Sequence, residues 1–130
     1  MKKYVWLPLM IVLTFVFAGC SEKKTDIVGT WERTGDEFAG MQVSVEKLDD
    51  GTYRGTITKT VSEKDFAVGL VKWLNVKKIS QGKYDYDDAT NDGLLHPMTM
   101  AFEDSNTIVA HELIKTDVEV GATQTWKRVK

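Results

Sequence analysis

Residues 41–59 read MQVSVEKLDDGTYRGTITK. Apolar or small residues occupy alternate positions on both sides of a central turn, at Met41, Val43, Val45, Tyr53, Gly55 and Ile57. Alternation with a period of two places such residues on one face of an extended strand. Gly51 readily adopts the positive φ that a tight hairpin turn requires. This stretch therefore predicts two antiparallel strands with one apolar face.

The rest of the chain from residue 27 repeats this pattern of short strands and turns. Extended segments are predicted at 28–33, 41–47, 52–59, 71–79, 83–87, 98–102, 107–114 and 122–129. Segment 62–69 is the least strand-like and is predicted to be a loop or helical turn that caps one end. Eight short strands predict an all-β fold. An eight-stranded antiparallel up-and-down β-barrel is favoured over a sandwich, because closure removes exposed sheet edges.

The first twenty residues precede this pattern and have a different composition. Lys2 and Lys3 are followed by an apolar run at 4–17, which Pro8 interrupts and which ends in Phe17-Ala-Gly-Cys20. A run of about 14 residues is shorter than the roughly 20 needed to span a bilayer as a helix. The segment resembles the lipobox signals of bacterial lipoproteins, apart from Phe17, where leucine is usual. That resemblance implies cleavage before Cys20 and lipidation of its sulfur.

The lipobox resemblance also implies a domain organisation and a location. Residues 1–19 would be a cleaved lipoprotein signal peptide, 20–26 the lipidated cysteine with a polar tether, and 27–130 the barrel domain. The domain would lie outside the cytoplasm in the cell envelope, held to the membrane by its lipid anchor. Ser21 after the cysteine favours the outer membrane if the organism is a diderm. Since Cys20 is the only cysteine, its lipidation leaves no thiol for a disulfide or a nucleophile.

Charge and size limit the classes of partner. The net charge is −2, and removal of Lys2 and Lys3 with the signal would make it −4. The absence of a basic cluster in the sequence argues against nucleic acid as a partner. One small domain with one core is expected. We predict a monomer with no cofactor.

The two ends of the barrel pattern carry a second resemblance. Gly29-Thr-Trp31 opens the first strand and Trp126-Lys-Arg128 closes the last. This is similar to the lipocalin (calycin) pattern, in which a Gly-x-Trp tryptophan closes the barrel floor beneath an arginine. The resemblance implies that Gly29, Trp31 and Arg128 are structural, barrel-closing residues. Lys127 is a weaker candidate for the basic position.

The sequence holds little that points to catalysis. His96 and His111 are the only histidines and lack metal-ligand spacing, and no nucleophile or phosphate-loop motif occurs. The acidic stretch 85–92 begins like a calcium loop, but Thr99 stands where that loop needs a bidentate glutamate. We therefore predict a solvated acidic turn, no metal site and no enzymatic activity.

Nine apolar residues are predicted to face the barrel interior, and two functions remain open for that interior. They are Met41, Val43, Tyr53, Ile57, Trp73, Tyr84, Met98, Met100 and Phe102. In the first hypothesis they line a site for a small apolar ligand or lipid, for which methionines are well suited. In the second, the barrel is filled and serves as a protein-interaction module, such as an envelope assembly factor or an inhibitor. That module would use its outer face or loops 62–69 and 87–96.

Overall fold

The computed structural model describes residues 25–62, 66–90, 92–114 and 118–129. Cys20 and the rest of the predicted signal lie outside these ranges. The described chain forms eight β-strands: β1 (Gly29–Thr34), β2 (Gln42–Lys47), β3 (Tyr53–Lys59), β4 (Val71–Ser80), β5 (Lys83–Ala89), β6 (Leu95–Asp104), β7 (Thr107–Ile114) and β8 (Val118–Arg128). No helix in the described part is long and apolar enough to cross a membrane.

The strands close into an antiparallel barrel in which every strand pairs with its neighbours in the sequence. Closure comes from β1 and β8, where Trp31 lies opposite Arg128 and Arg33 lies opposite Trp126. The predicted eight-stranded antiparallel barrel is confirmed, and the sandwich alternative is wrong. β6 begins at Leu95, three residues before the predicted start. The prediction was wrong here because Pro97 lacks the amide hydrogen that a strand ladder uses, so this part of the sequence does not look like a strand.

The interior is packed around three tryptophans. Trp31, Trp73 and Trp126 are completely buried. The rings of Trp73 and Trp126 meet edge to face, with centroids 5.0 Å apart. Gly55 makes room for Trp73, because a Cβ at this glycine would stand 2.7 Å from a Val43 methyl and 2.9 Å from the Trp73 ring. Burying each large apolar side chain contributes about 1.5–3 kcal/mol, so this packing is the main source of stability.

The up-and-down topology gives the barrel two different ends. We call floor the end that holds the incoming segment 25–28 and the turns 48–52, 81–82 and 105–106. We call mouth the opposite end, which holds the loops 35–41, 60–70 and 90–94. The predicted capping loop 62–69 belongs to the mouth, and its described residues form no strand.

Candidate functional site

The floor is closed by Arg128 and Trp31. The Arg128 guanidinium carbon lies 4.4 Å from the centre of the Trp31 ring, which is within the range of a cation–π contact. The guanidinium also donates hydrogen bonds to three backbone carbonyls, those of Asp26 (2.9 Å), Val28 (3.2 Å) and Ser105 (3.1 Å). One side chain therefore ties the end of β8 to the incoming segment and to the turn before β7.

The incoming segment is held against the floor by further side chains. The floor tryptophan donates from Nε1 to the Ile27 carbonyl at 2.9 Å. Tyr84 donates from its hydroxyl to the Thr25 carbonyl at 3.0 Å, and Gln81 donates to the Thr25 hydroxyl at 2.8 Å. Gly29 has a φ of +145°, which L side chains rarely adopt. The predicted structural residues Gly29, Trp31 and Arg128 thus lie together where the chain enters the barrel.

The nine residues predicted to face the interior do lie there, and their side chains fill it. Seven of them are at most 3% exposed, and Tyr53 and Phe102 are partly buried against the same cluster. Tyr53 and Tyr84 meet edge to face at 5.8 Å. A concavity of about 780 Å³ lies beside the 81–82 turn at the floor. Of the nine residues, Phe102 lines this concavity, and Tyr53 and Tyr84 line a second one of about 340 Å³ at the floor.

A buried ion pair lies at the mouth end of the interior. The Lys72 ammonium is 2.9 Å from Oδ1 of Asp88, and both residues are 2% exposed. Lys72 also donates to the Ala89 carbonyl at 2.9 Å, and the Phe66 ring lies over the ammonium at 4.4 Å. Burial lowers the pKa of Lys72 below its ordinary value of 10.5, and the Asp88 carboxylate opposes this shift. The predicted solvated acidic turn is therefore wrong for Asp88, which faces the interior.

Sequence reasoning missed this pair, although a signal for it was present. Asp88 follows Tyr84 and Tyr86 at intervals of two on β5, so an inward direction could have been derived from the alternation. No comparable signal marks Lys72, because it precedes the inward Trp73 directly. Both residues are buried, and strict alternation cannot place two consecutive side chains inside.

Arg33 is a third buried charged residue at the mouth end, and it pairs with the loop 35–41. Its guanidinium donates to Asp36 from Nε at 2.9 Å and forms an ion pair from Nη2 at 2.8 Å. The same guanidinium lies 5.3 Å from the Phe38 ring centre and 5.4 Å from that of Trp126. Phe38 in turn meets Phe66 edge to face at 5.6 Å. Two phenylalanines from different loops therefore cover the buried charges.

Two buried donors near these charges form no hydrogen bond. They are the Tyr86 hydroxyl and the Trp73 indole nitrogen, whose rings lie 5.5 Å apart. Burial raises the pKa of Tyr86 well above its ordinary value of 10.0, and the charge of Asp88 adds to this shift. A buried donor without a partner costs about 1–3 kcal/mol. Buried hydrogen-bonding groups are thus less completely paired at the mouth end of the interior than at the floor.

His96 lies at the mouth between two acidic side chains. Its Nδ1 is 3.0 Å from a Glu112 carboxylate oxygen, and its Nε2 is 4.0 Å from an oxygen of Asp92. His111 is half-buried on β7, opposite Thr99 of β6. Among the described residues, no three His, Cys, Asp or Glu side chains are grouped so that they could hold a metal ion.

The exposed surface of the mouth combines apolar and acidic side chains. Its loops and strand ends expose five large apolar residues, each 40–58% accessible: Val61, Val68, Leu70, Leu94 and Leu95. Asp36, Glu37 and Asp92 are exposed around the same opening. We call these eight residues the mouth rim.

Comparisons of the chain with protein families, with curated proteins and with solved structures find no match.

Proposed function

We propose that this chain is a membrane-tethered protein-interaction module of the cell envelope, built on a lipocalin-like barrel that carries no small molecule in its interior. The observation that supports this proposal best is the filling of the barrel. The side chains that would line a ligand site pack against one another instead, and Trp31, Trp73 and Met41 have no exposed surface. The outer surface is then the part of the molecule that can bind a partner.

The interior argument depends on volume. Sites for small molecules usually enclose about 300–1,000 Å³ and are largely formed before the ligand arrives. Here the barrel interior beside Gly55 is so tightly packed that a methyl group at this position would overlap Val43 and Trp73. Room for a lipid would require several core side chains to leave their packing, and emptying a single large core position typically costs about 2–5 kcal/mol. A filled barrel therefore favours the interaction hypothesis over the ligand hypothesis.

The tether argument depends on where the chain enters the barrel. The described chain starts at Thr25, which the floor side chains hold. Four residues, 21–24, lie between Thr25 and Cys20, so five steps of at most about 3.6 Å each separate the two Cα atoms. A lipid on Cys20 would keep the floor within roughly 20 Å of the membrane. The mouth lies at the end of the barrel opposite to this tether.

Native mass spectrometry of the chain purified from its own cells in mild detergent tests the interaction function. We expect the mass of the lipidated chain alone, unchanged after organic extraction and refolding. A reproducible additional lipid mass that extraction removes would favour the apolar-ligand hypothesis instead.

The anchor has its own test in Cys20→Ser. The hydroxyl of serine does not take the place of the thiol in lipidation, so we expect the variant to leave the membrane fraction and to incorporate no labelled fatty acid. A control such as Ser21→Ala should remain in the membrane fraction. Persistent membrane attachment of Cys20→Ser would show that another segment holds the protein.

A further inference from the structure

We infer that the mouth rim is the docking surface of this module, and that its partner is a protein with basic side chains around an apolar patch. This inference rests on the proposed interaction function and adds to it a surface and a partner chemistry. Two independent properties of the mouth carry it: the grouping of its exposed apolar side chains and the sign of its exposed charge.

The apolar side chains are concentrated at the mouth. Among the described residues, eight large apolar side chains are exposed, and five of them belong to the mouth rim. The other three, Val28, Ile79 and Val129, lie near the floor. Single exposed apolar residues are ordinary, but several around one opening are typical of an interaction surface. Val61, Val68 and Leu70 lie on the loop 60–70, Leu94 ends the loop 90–94, and Leu95 begins β6.

Among the residues that the structure describes, the exposed charge of the mouth is mainly negative. Arg33 and Lys72 are buried, and each is paired with an aspartate, so neither offers positive charge to a partner. Glu37 and Asp92 are exposed, while Lys59 is the exposed basic residue at the mouth end of β3. Complementary charge speeds association and selects among partners, so this rim favours a basic surface.

Two acidic side chains of the rim are also held in place by local hydrogen bonds before any partner arrives. Asp36 accepts a hydrogen bond from the Phe38 amide at 3.0 Å, and Asp92 accepts one from the Leu94 amide at 2.9 Å. The hydrogen bond from the Thr90 hydroxyl, followed by that from the Leu94 amide, lowers the pKa of Asp92. This carboxylate therefore stays charged further into the acid range. Preorganised loops lose less conformational freedom on binding.

Site-specific photo-crosslinking in the native cells tests the position of the surface. A photoreactive amino acid would replace Leu94 or Leu95 at the mouth, and Ile79 or Val129 near the floor as matched exposed controls. We expect a protein adduct from the mouth positions alone, whose mass-spectrometric identification gives a protein with a basic, partly apolar surface. Adducts from the floor positions alone would overturn the mouth assignment and leave the interaction function intact.

The charge argument is tested on the identified and purified partner. The double variant Glu37→Gln/Asp92→Asn removes two negative charges. The new amide side chain at position 92 keeps an oxygen that can accept the hydrogen bond from the Leu94 amide. We expect about tenfold weaker binding at low salt, and a smaller difference at high salt because salt screens exposed charges.

Asp50→Asn at the floor is the matched control. Asp50 also accepts hydrogen bonds from a threonine hydroxyl and from the backbone amide two residues on. We expect this variant to bind like the wild type. Equal binding by the rim double variant would overturn the charge argument. Identification of an acidic partner would also overturn the charge argument.

The absence of a protein adduct at all four crosslinking positions would count against both the mouth surface and the interaction function. A lipid adduct in native mass spectrometry would then show that the interaction function itself is wrong.

Discussion

The two ends of this barrel are closed by different chemistry. At the floor, Arg128 and Trp31 donate to backbone carbonyls of the incoming segment, so polar groups meet polar partners. At the mouth, Lys72 and Asp88 lie buried beneath Phe66, and the Tyr86 hydroxyl beside them has no partner. Proteins keep unfavourable arrangements mostly where function requires them. This difference supports the proposal that the floor is a structural end and that the mouth binds the partner.

Trp31→Ala should have the largest effect, because it removes the residue on which the floor depends. The variant loses a fully buried indole, its hydrogen bond to Ile27 and the ring beneath Arg128. We expect the free energy of unfolding to fall by about 3–5 kcal/mol in denaturant titrations. Ile79→Ala, at an exposed position, is the control and should change little. A stable Trp31→Ala protein would show that the floor does not depend on this residue.

Lys72→Met tests the buried charges of the mouth. It leaves the Asp88 carboxylate buried without its counter-ion, which typically costs about 3–5 kcal/mol. The double variant Lys72→Met/Asp88→Leu removes both charges, and we expect it to recover most of the lost stability. Thermal and denaturant unfolding of the three proteins give the comparison. A double variant as unstable as the single one would show that the pair itself stabilises the fold.

Arg128→Lys should have a smaller effect on the floor. Lysine keeps the positive charge but loses the planar guanidinium that reaches three carbonyls at once. Each hydrogen bond contributes about 0.5–1.5 kcal/mol, so we expect a loss of about 1–3 kcal/mol in the free energy of unfolding. Lys127→Arg, a neighbouring exposed change, should have no comparable effect. Equal stability of Arg128→Lys and the wild type would mean that charge alone holds this end.

Tyr86→Phe should have the smallest effect at neutral pH and a measurable one in alkali. The hydroxyl has no partner, so its removal should leave the free energy of unfolding unchanged or raise it by up to about 1 kcal/mol. The folded pKa of Tyr86 is raised, so the folded state retains a proton that the unfolded state releases above pH 10.0, and stability falls as pH rises. We expect the free energy of unfolding of the variant to fall less steeply as pH rises. The same alkaline profile in both proteins would mean that Tyr86 is not buried.

Much of the fold could be predicted from the sequence, because strand formation is encoded locally. The alternation at Met41, Val43 and Val45, with the turn at Gly51, placed β2 and β3 to within a residue. The same local rule placed the other strands to within a residue, apart from the end of β5, both ends of β6 and the start of β8. The Gly29-Thr-Trp31 and Arg128 pattern brought together two residues from opposite ends of the chain, and the structure has them in contact.

The sequence by itself determined the number of strands and most of their inward residues, and it predicts a membrane anchor at Cys20. Only the tertiary structure decided what the interior contains. Whether inward side chains leave a cavity depends on how far each reaches across the barrel, and Gly55 and Trp73 fit together only because β3 and β4 are adjacent. The burial of Lys72 and Asp88 is likewise a property of two strands and a loop, because a charged residue becomes interior only when partners distant in sequence cover it.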